Sequence, residues 1–357
     1  MPAILCPFFI EIEPMERLLL INFEKDPDTL YVGFEPQVFD DALNGKGHLV
    51  VGWRRDGKVD VYHEPTVTPQ AGKYDIAGKG LAEMRETHFE EARYTLSPTG
   101  VSARYVFTDV SGRRVEIRVE EKSPKRRRPF ALLAPMGAAA EKPSALPLIW
   151  LFDFYFVRRK NTDFEVAIDG NPHQPDRMPI WLDGASVLFT RYSSKPVISR
   201  FNPNYDGELP VFQASGENPV TIQQQQVYLS RSAAGTSIEK IVYENPIAPI
   251  ELRFEPPFPN LYGLSAPTAA SGKFEVSIHA SAGCLAGDYW VSGDGDRIRI
   301  RLTPSGGWKP RPDRFVLWFL YTVAKVFKNW PKTYVWEAEI SRKGEDYYMK
   351  SQWSRTR

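Results

Sequence analysis

The chain has 357 residues, of which 42% are hydrophobic and 25% charged, and its formal net charge is +1. These values are ordinary for a globular protein of about two domains, and the near-neutral charge argues against nucleic-acid binding, which needs a concentrated basic surface. The two cysteines, Cys6 and Cys284, form neither a disulfide framework nor a metal-ligand cluster by their spacing.

Alternation of apolar and polar residues runs through much of the chain and predicts β-strands. It is clearest in four segments, 114–119, 273–278, 297–302 and 334–341. Such strands bury one face and leave the other in water, as strands of antiparallel sheets do. Glycine-containing turns separate them, and the 30 prolines argue against long helices. We therefore predict an all-β fold of two consecutive antiparallel units, each a barrel or a sandwich.

The first predicted hairpin turns at Asp56-Gly57. A two-residue turn would place Trp53 opposite Asp60 and Val51 opposite Tyr62 on one face. Asp60 would then lie among aromatic rings, where burial can raise the pKa of a carboxyl group and let it donate a proton. The alternative is a carboxylate in water or paired with arginine. We take Asp60 as a candidate catalytic residue, and Trp53 and Tyr62 as candidate ligand contacts.

A second turn at Ser111-Gly112 predicts another hairpin, with Asp109 opposite Arg114. The segment 122–147 follows it and is rich in proline, so we predict a long ordered loop. Its basic cluster at 125–128 could contact a phosphate or an anionic surface. The alternative is a solvated loop.

The segment Trp150–Arg159 is apolar on both faces and predicts a buried strand. Asp153 interrupts it and shares one face with Tyr155. An unpaired buried carboxylate is unfavourable, so Asp153 needs a partner, a proton or a wet cavity. Asp153 with Tyr155 is a candidate general acid, and the alternative is a structural hydrogen bond. Trp150 is a candidate ligand contact.

None of the five histidines has the spacing of a metal site, so we predict no metal. His173 lies in a turn-like loop near Asp176 and is either at the edge of a ligand site or solvated. The sequence contains no Walker loop, no GxGxxG and no GxSxG motif. We therefore expect no cofactor and no serine-hydrolase chemistry.

A stretch rich in proline and glycine, 193–219, predicts the boundary between two β-units, 1–200 and 211–357. In the second unit a turn at Asp294-Gly295 places Trp290 on a polar face with Arg297, Arg299 and Arg301. Near the C-terminus, a helix over 321–329 competes with a strand that continues from Phe315.

We base the expected cellular location on two features that the sequence does not show. The first ten residues have no basic leader or small-residue cleavage site. The apolar run Phe315–Phe327 contains Lys325 and is shorter than the ~20 residues of a membrane span. We expect a cytoplasmic protein without a membrane span.

The sequence resembles the tandem lipocalin-like proteins, a calycin-related group that includes bacterial carotenoid 1,2-hydratases. The resemblance rests on total length, two consecutive β-rich units, Phe152–Phe156 in the first unit and Trp330–Trp336 in the second. It implies two barrel-like units with a pocket for an apolar small molecule. For a hydratase of this group, the resemblance would imply acid-assisted addition of water to an alkene without a redox cofactor. The catalytic residues of the hydratases cannot be matched to positions in this sequence.

These patterns favour binding of a hydrophobic or amphipathic small molecule. If the protein is an enzyme, we expect cofactor-free hydration, isomerisation or lyase chemistry. The alternative is a β-sandwich that binds or cleaves carbohydrate with the same carboxylates and aromatic residues. A closed apolar pocket would favour the first function, and an open groove with flat aromatic rings and two facing acids the second. A non-catalytic assembly module would instead show a large exposed apolar patch.

Overall fold

The computed structural model describes residues 3–137, 140, 142–214, 218–232, 235–262, 268–294 and 296–356. It is 62% strand and 6% helix, which confirms the predicted all-β class.

The strands up to residue 201 belong to the first predicted unit. They are β1 (Ala3–Leu5), β2 (Ile10–Glu13), β3 (Arg17–Asn22), β4 (Tyr31–Asp41), β5 (Gly45–Arg54), β6 (Val59–His63), β7 (Leu81–Glu86), β8 (Glu91–Ser97), β9 (Gly100–Thr108), β10 (Arg114–Glu121), β11 (Phe130–Ala134), β12 (Leu146–Arg158), β13 (Thr162–Ile168), β14 (Asn171–Pro172), β15 (Arg177–Leu182) and β16 (Ala185–Phe201). A 3₁₀-helix, Ala71–Lys73, lies between β6 and β7.

The later strands and both α-helices follow. The strands are β17 (Tyr205–Glu208), β18 (Val211–Gln213), β19 (Val220–Ile222), β20 (Gln225–Ser232), β21 (Gly235–Tyr243), β22 (Ile250–Pro259), β23 (Thr268–Ser277), β24 (Cys284–Gly293), β25 (Arg297–Lys309), β26 (Tyr334–Lys343) and β27 (Asp346–Arg355). The helices are α1 (Phe315–Val323), α2 (Lys325–Asn329) and a 3₁₀-helix, Ala280–Ala282.

Three sheets organise the described strands. Sheet A has the order β11-β12-β16-β3-β4-β5-β6-β7, and β2 and β15 also pair with β16. Sheet B has the order β14-β13-β10-β9-β8, and sheet C the order β17-β27-β26-β25-β24-β23-β22-β21-β20-β19. A separate pair joins β1 to β18. The described strand pairs leave each sheet with open edges, so they do not form the predicted barrels.

Two apolar cores hold the sheets together. One core joins sheets A and B, with Phe34 and Tyr192 on one side and Phe107 on the other. The larger core joins sheet A to sheet C and includes Trp150 and Trp336. After β16 the chain leaves sheet A, and most of its later strands pair within sheet C. The apolar core nevertheless continues from sheet A to sheet C. The division into units 1–200 and 211–357 stays a prediction.

The segments 122–147 and 193–219 are more regular than predicted. The first contains β11, because Phe130, Leu132 and Leu133 are buried against β12. The prediction of a continuous loop is therefore wrong. In the second, residues up to Phe201 continue β16, and residues 215–217 lie outside the described part of the chain.

Both predicted two-residue turns have three residues in the loop. The backbone N–H of Arg54 donates to the carbonyl of Lys58 at 2.9 Å, and that of Asp109 to Arg113 at 2.9 Å. A glycine with positive φ closes each loop, Gly57 at 87° and Gly112 at 78°. The extra residue moves the pairing by one position, which exchanges the two faces of a strand.

The register of the first hairpin corrects the predicted neighbours of Asp60. Gly52 lies opposite Asp60, and Val50 lies opposite Tyr62. Trp53 lies opposite Val59 and points to the other face of sheet A. The prediction that Trp53 and Asp60 share a face is therefore wrong. In the second hairpin Arg114 pairs with Thr108 and not with Asp109.

The predicted faces of β25 are confirmed, and the predicted helix near the C-terminus is found with different bounds. Arg297, Arg299 and Arg301 are exposed in β25, and the alternating apolar residues between them are buried. Gly295 of the predicted turn lies outside the described residues. The run that begins at Phe315 forms α1 and α2, so it is helical and the competing strand is not found; the helix begins at Phe315 and not at 321, and it is interrupted at Ala324. No helix in the described part of the chain is long and apolar enough to cross a membrane.

Candidate functional site

A cavity of about 100 Å³, here called the central cavity, lies against sheet A. Its wall is mainly apolar, and includes Leu18, Leu20, Phe39, Val51, Trp53, Ile149 and Leu151. Polar side chains also reach it, among them Glu13, Glu35, Gln37 and Lys73. A mostly apolar pocket with a few convergent polar groups is the usual form of a small-molecule site.

Strand β4 places two of the polar groups in the cavity. Phe34 and Val38 pack into the core between sheets A and B. Side chains alternate along a strand, so Glu35, Gln37 and Phe39 point to the opposite face, where they line the central cavity. The cavity therefore lies on the side of β4 that faces away from sheet B.

Glu35 is the most unusual group in the cavity wall, because only 6% of its surface is exposed. Its carboxyl oxygens accept hydrogen bonds from Gln37 Nε2 at 2.8 Å and from Trp53 Nε1 at 3.1 Å. Burial raises the pKa of Glu35 to about 7, although these bonds and the charge of Arg191 act in the opposite direction. A carboxyl group with this pKa can both donate and accept a proton near neutral pH.

The side-chain amide of Gln37 is incompletely hydrogen-bonded. Gln37 Oε1 is a buried acceptor that has no hydrogen-bond partner among the described residues. A buried polar atom without a partner is unfavourable, so a hydrogen-bond donor at this position would be stabilised. Gln37 and Glu35 together therefore offer a donor or an acceptor to a polar group in the cavity.

The segment 64–80, here called the cap segment, connects β6 to β7 and covers part of the cavity. It contributes Lys73, whose Nζ lies 3.1 Å from Glu13 Oε1. Burial raises the pKa of Glu13, and the charge of Lys73 limits this effect. Burial, followed by the charges of Glu13 and Glu35, raises the pKa of Tyr74 in the same segment. The cap segment thus adds a cation, which pairs with Glu13, and a phenol to the wall.

The sequence-predicted residues Asp60 and Tyr62 lie apart from the cavity, in a buried network. Tyr31 Oη donates to Asp60 Oδ2 at 2.9 Å and lies 2.5 Å from Tyr62 Oη. Arg54 Nη1 is 3.4 Å from Asp60 Oδ1. Burial raises the pKa of Asp60, against the effects of Tyr31 and Arg54. The arginine-paired alternative describes Asp60 better than a proton donor facing a ligand.

Asp153 and Tyr155 have different partners. Asp153 is half-buried and accepts a hydrogen bond from Ser194 Oγ. Tyr155 Oη donates to Asp183 Oδ2 at 2.8 Å. Asp153 also has a positive φ of 46°, which interrupts the regular strand. The structure therefore does not join these two side chains by a hydrogen bond.

Asp153 faces an open groove of about 630 Å³, here called the interface groove. Its walls come from both halves of the chain, and include Phe152, Asp153, Lys195, His279, Arg311, Asp313 and Tyr321.

Trp53 is the sequence-predicted ligand contact that lines the central cavity. Trp150 is fully buried in the core between sheets A and C. His173 is half-buried, with Nδ1 2.9 Å from the Asp26 carbonyl oxygen and its ring 5.3 Å from that of Phe23. Neither residue lines the central cavity. No group of three or more His, Cys, Asp or Glu among the described residues could hold a metal ion.

Comparison with known proteins adds no relative. No family model, curated protein or solved structure matches the chain. The resemblance to the tandem lipocalin-like proteins therefore stays a prediction, and function has to be argued from the site itself.

The structure predicts a small effect for Asp153→Asn. Asparagine tolerates a positive φ and keeps an oxygen that accepts from Ser194. We expect the free energy of unfolding to change by less than about 1 kcal/mol. Asp153→Val is the control, since a β-branched residue at positive φ costs about 1–3 kcal/mol. Urea denaturation measures both, and an equal loss in the two variants would contradict the positive φ assigned to Asp153.

Proposed function

We propose that this protein binds a small amphipathic molecule in the central cavity. We further propose that Glu35 is the acid–base group of a cofactor-free conversion such as hydration, isomerisation or elimination. The observation that carries the proposal is a buried carboxyl group with a pKa of about 7 in a mostly apolar wall. Acids with perturbed pKa values in pockets are typical of functional sites.

The size of the cavity limits the ligand. Its volume of about 100 Å³ is smaller than the about 150 Å³ cavity that encloses benzene in another protein. A carotenoid-sized molecule does not fit inside it. The proposal is therefore a ligand of a few heavy atoms, or the end of a longer one that enters beside the cap segment. Its apolar part would contact residues such as Leu20 and Val51, and its polar group would meet Glu35 and Gln37.

Binding of 1-butanol tests the site, because this probe has one hydroxyl group and a short apolar chain. Ligand-observed NMR gives its dissociation constant at pH 6 and pH 8. We expect tighter binding at pH 6, since an apolar ligand further desolvates Glu35 and favours its neutral form. Glu35→Gln should bind equally at both pH values.

The cavity-filling variant Ala77→Leu is the control for location, because Ala77 lines the cavity in the cap segment. It should lose butanol binding and retain its circular dichroism spectrum. Binding that persists in a folded Ala77→Leu protein, or that shows the same pH dependence in Glu35→Gln, would overturn the proposal.

The interface groove has features that fit the alternative function, binding or cleavage of carbohydrate. It is open, and it brings two carboxylates, Asp153 and Asp313, together with Phe152 and Tyr321. Sugar-binding sites combine such groups, and most glycosidases use two carboxylates across the bond that breaks. Native mass spectrometry of the purified protein, followed by extraction of any retained molecule, distinguishes the two functions. A small amphipathic molecule supports the first, and an oligosaccharide supports the second.

A further inference from the structure

The outer face of α1 is apolar where a surface helix is normally polar. Phe315 is 75% exposed, Trp318 is 51% exposed and Val323 is 59% exposed. The rings of Phe315 and Trp318 stack with their centroids 5.4 Å apart. The opposite side of the helix is buried through Leu317 and Tyr321. The helix is therefore already anchored by one face, and its exposed aromatic residues do not serve that packing.

A further exposed aromatic residue is held near the start of α1. Arg314, which precedes the helix, forms an ion pair with Asp183 at 3.0 Å. Asp183 follows β15, which carries Trp181 with 68% of its surface exposed. This ion pair fixes the end of β15 beside α1. Large exposed apolar patches on proteins mark interaction sites.

Basic side chains lie on both sides of this aromatic surface. The exposed cluster Lys125, Arg126 and Arg128 is attached to the same region. Arg314 Nη2 donates to the carbonyl of Arg128 at 2.6 Å, and Lys125 Nζ donates to that of Gly184 at 3.1 Å. Beyond the other end of α1, two exposed lysines, 325 and 328, belong to α2.

The acidic residues of this region are paired. Asp313 Oδ1 lies 3.0 Å from Arg314 Nε, and Asp183 pairs with the same guanidinium group. These two carboxylates share one guanidinium group, whereas five exposed lysines and arginines flank the aromatic residues, so the net charge of the named residues is positive.

We propose that α1, Trp181 and the flanking basic residues bind the surface of a lipid bilayer that contains anionic lipids. The surface defined by Phe315, Trp318, Phe319 and Trp181 would enter the boundary between headgroups and acyl chains, where aromatic side chains are favoured. The lysines and arginines would remain at the level of the phosphate groups. Interfacial helices combine these two features. This inference is independent of the function proposed for the central cavity.

Charge favours a bilayer over a second copy of the chain. A symmetric dimer brings the same patch of two copies together. Here it would place the basic clusters of both copies near each other without acidic partners. An anionic bilayer satisfies the aromatic and the basic groups simultaneously.

Sedimentation of the full chain with vesicles tests the proposal. The probes are vesicles of phosphatidylcholine alone and vesicles of phosphatidylcholine with phosphatidylglycerol. We expect preferential binding to the anionic vesicles, which weakens as salt increases. The double variant Phe315→Ser/Trp318→Ser should bind them at least about tenfold more weakly. The triple variant Lys125→Gln/Arg126→Gln/Arg128→Gln should lose most of the preference for anionic vesicles.

Trp290→Ser is the matched control, because Trp290 is also exposed, at 44%, but lies on sheet C. It should bind as the unchanged protein does, and thermal melts should show that all variants are folded. Absence of binding to anionic vesicles would overturn the proposal, as would unchanged binding by Phe315→Ser/Trp318→Ser. Self-association that this double variant abolishes, without vesicle binding by the unchanged chain, would instead assign the surface to a second copy.

Discussion

Replacing Glu35 with glutamine should stabilise the protein at pH 8 and have little effect at pH 5. Burial raises the pKa of Glu35 from 4.5 to about 7, so the folded state holds this proton more tightly than the unfolded state. Stability that depends on the protonated carboxyl group is fully present below about pH 4.5. It is lost as the pH rises through about 7.

The difference in the pKa of Glu35 between the folded and unfolded states lowers the free energy of unfolding by about 3 kcal/mol above pH 7. Glutamine is neutral at every pH and similar in shape to glutamic acid. It also keeps one acceptor for Trp53 or Gln37, and we expect a net gain of about 2–3 kcal/mol at pH 8. Urea denaturation at pH 5, 6.5 and 8 measures the effect.

Glu345→Gln is the control, since Glu345 is exposed in the turn between β26 and β27. Its stability should follow that of the unchanged protein at all three pH values. A constant difference between Glu35→Gln and the unchanged protein across this range would show that Glu35 ionises normally, and would remove the main support for its acid–base role.

The second large effect is expected for Arg113→Met. Arg113 lies between two carboxylates, with Nη2 2.8 Å from Asp109 Oδ2 and 3.0 Å from Asp28 Oδ2. Asp109 is fully buried, and Asp28 is 8% exposed. Methionine has a similar length but no charge, so it would leave two buried carboxylates without their common partner. Removing one member of such a group costs about 3–5 kcal/mol.

The stabilisation by Arg113 should be lost as the pH falls, whereas the stabilisation that depends on protonated Glu35 is lost as the pH rises. Burial raises the pKa of Asp28, but hydrogen bonds from Arg113 and from backbone amides outweigh it and hold the pKa below 3.8. The stabilisation is therefore present above about pH 4 and is lost as the pH falls through the lowered pKa. Arg114→Met is the control, because the neighbouring arginine forms exposed ion pairs. Equal destabilisation by the two variants at pH 7 would contradict the assigned role of Arg113.

Local alternation was sufficient to predict the class of fold and the faces of several strands. In β25, Arg299 and Arg301 are exposed because Ile300 and its apolar neighbours pack into the core. This information is contained in consecutive residues. Hairpin register was less accessible, since Asp56-Gly57 fits both a two-residue and a three-residue loop. One additional loop residue was enough to move Trp53 away from Asp60 and into the wall of the central cavity.

Glu35 was missed for a different reason. The sequence did contain a signal, because Glu35 and Gln37 are two positions apart in a strand otherwise rich in apolar residues. Identifying a cavity there also requires the position of the cap segment, which has no periodic pattern and is fixed by tertiary contacts. The positive φ of Asp153 likewise cannot be read from alternation, and neither can the different hydrogen-bond partners of Asp153 and Tyr155.

The N-terminal segment packs against residues 254–260, which are distant in the sequence. Asn260 Nδ2 donates to the carbonyl of Ala3 at 2.7 Å, and the Phe8 ring packs 5.0 Å from Phe254 and 4.8 Å from Phe258. During synthesis the N-terminal segment leaves the ribosome long before these partners exist. Phe8 therefore remains exposed to solvent or in a non-native contact until more than two hundred further residues have been translated. A chain released early would expose both this ring and the core of sheet A, and would be a substrate for chaperones or proteases.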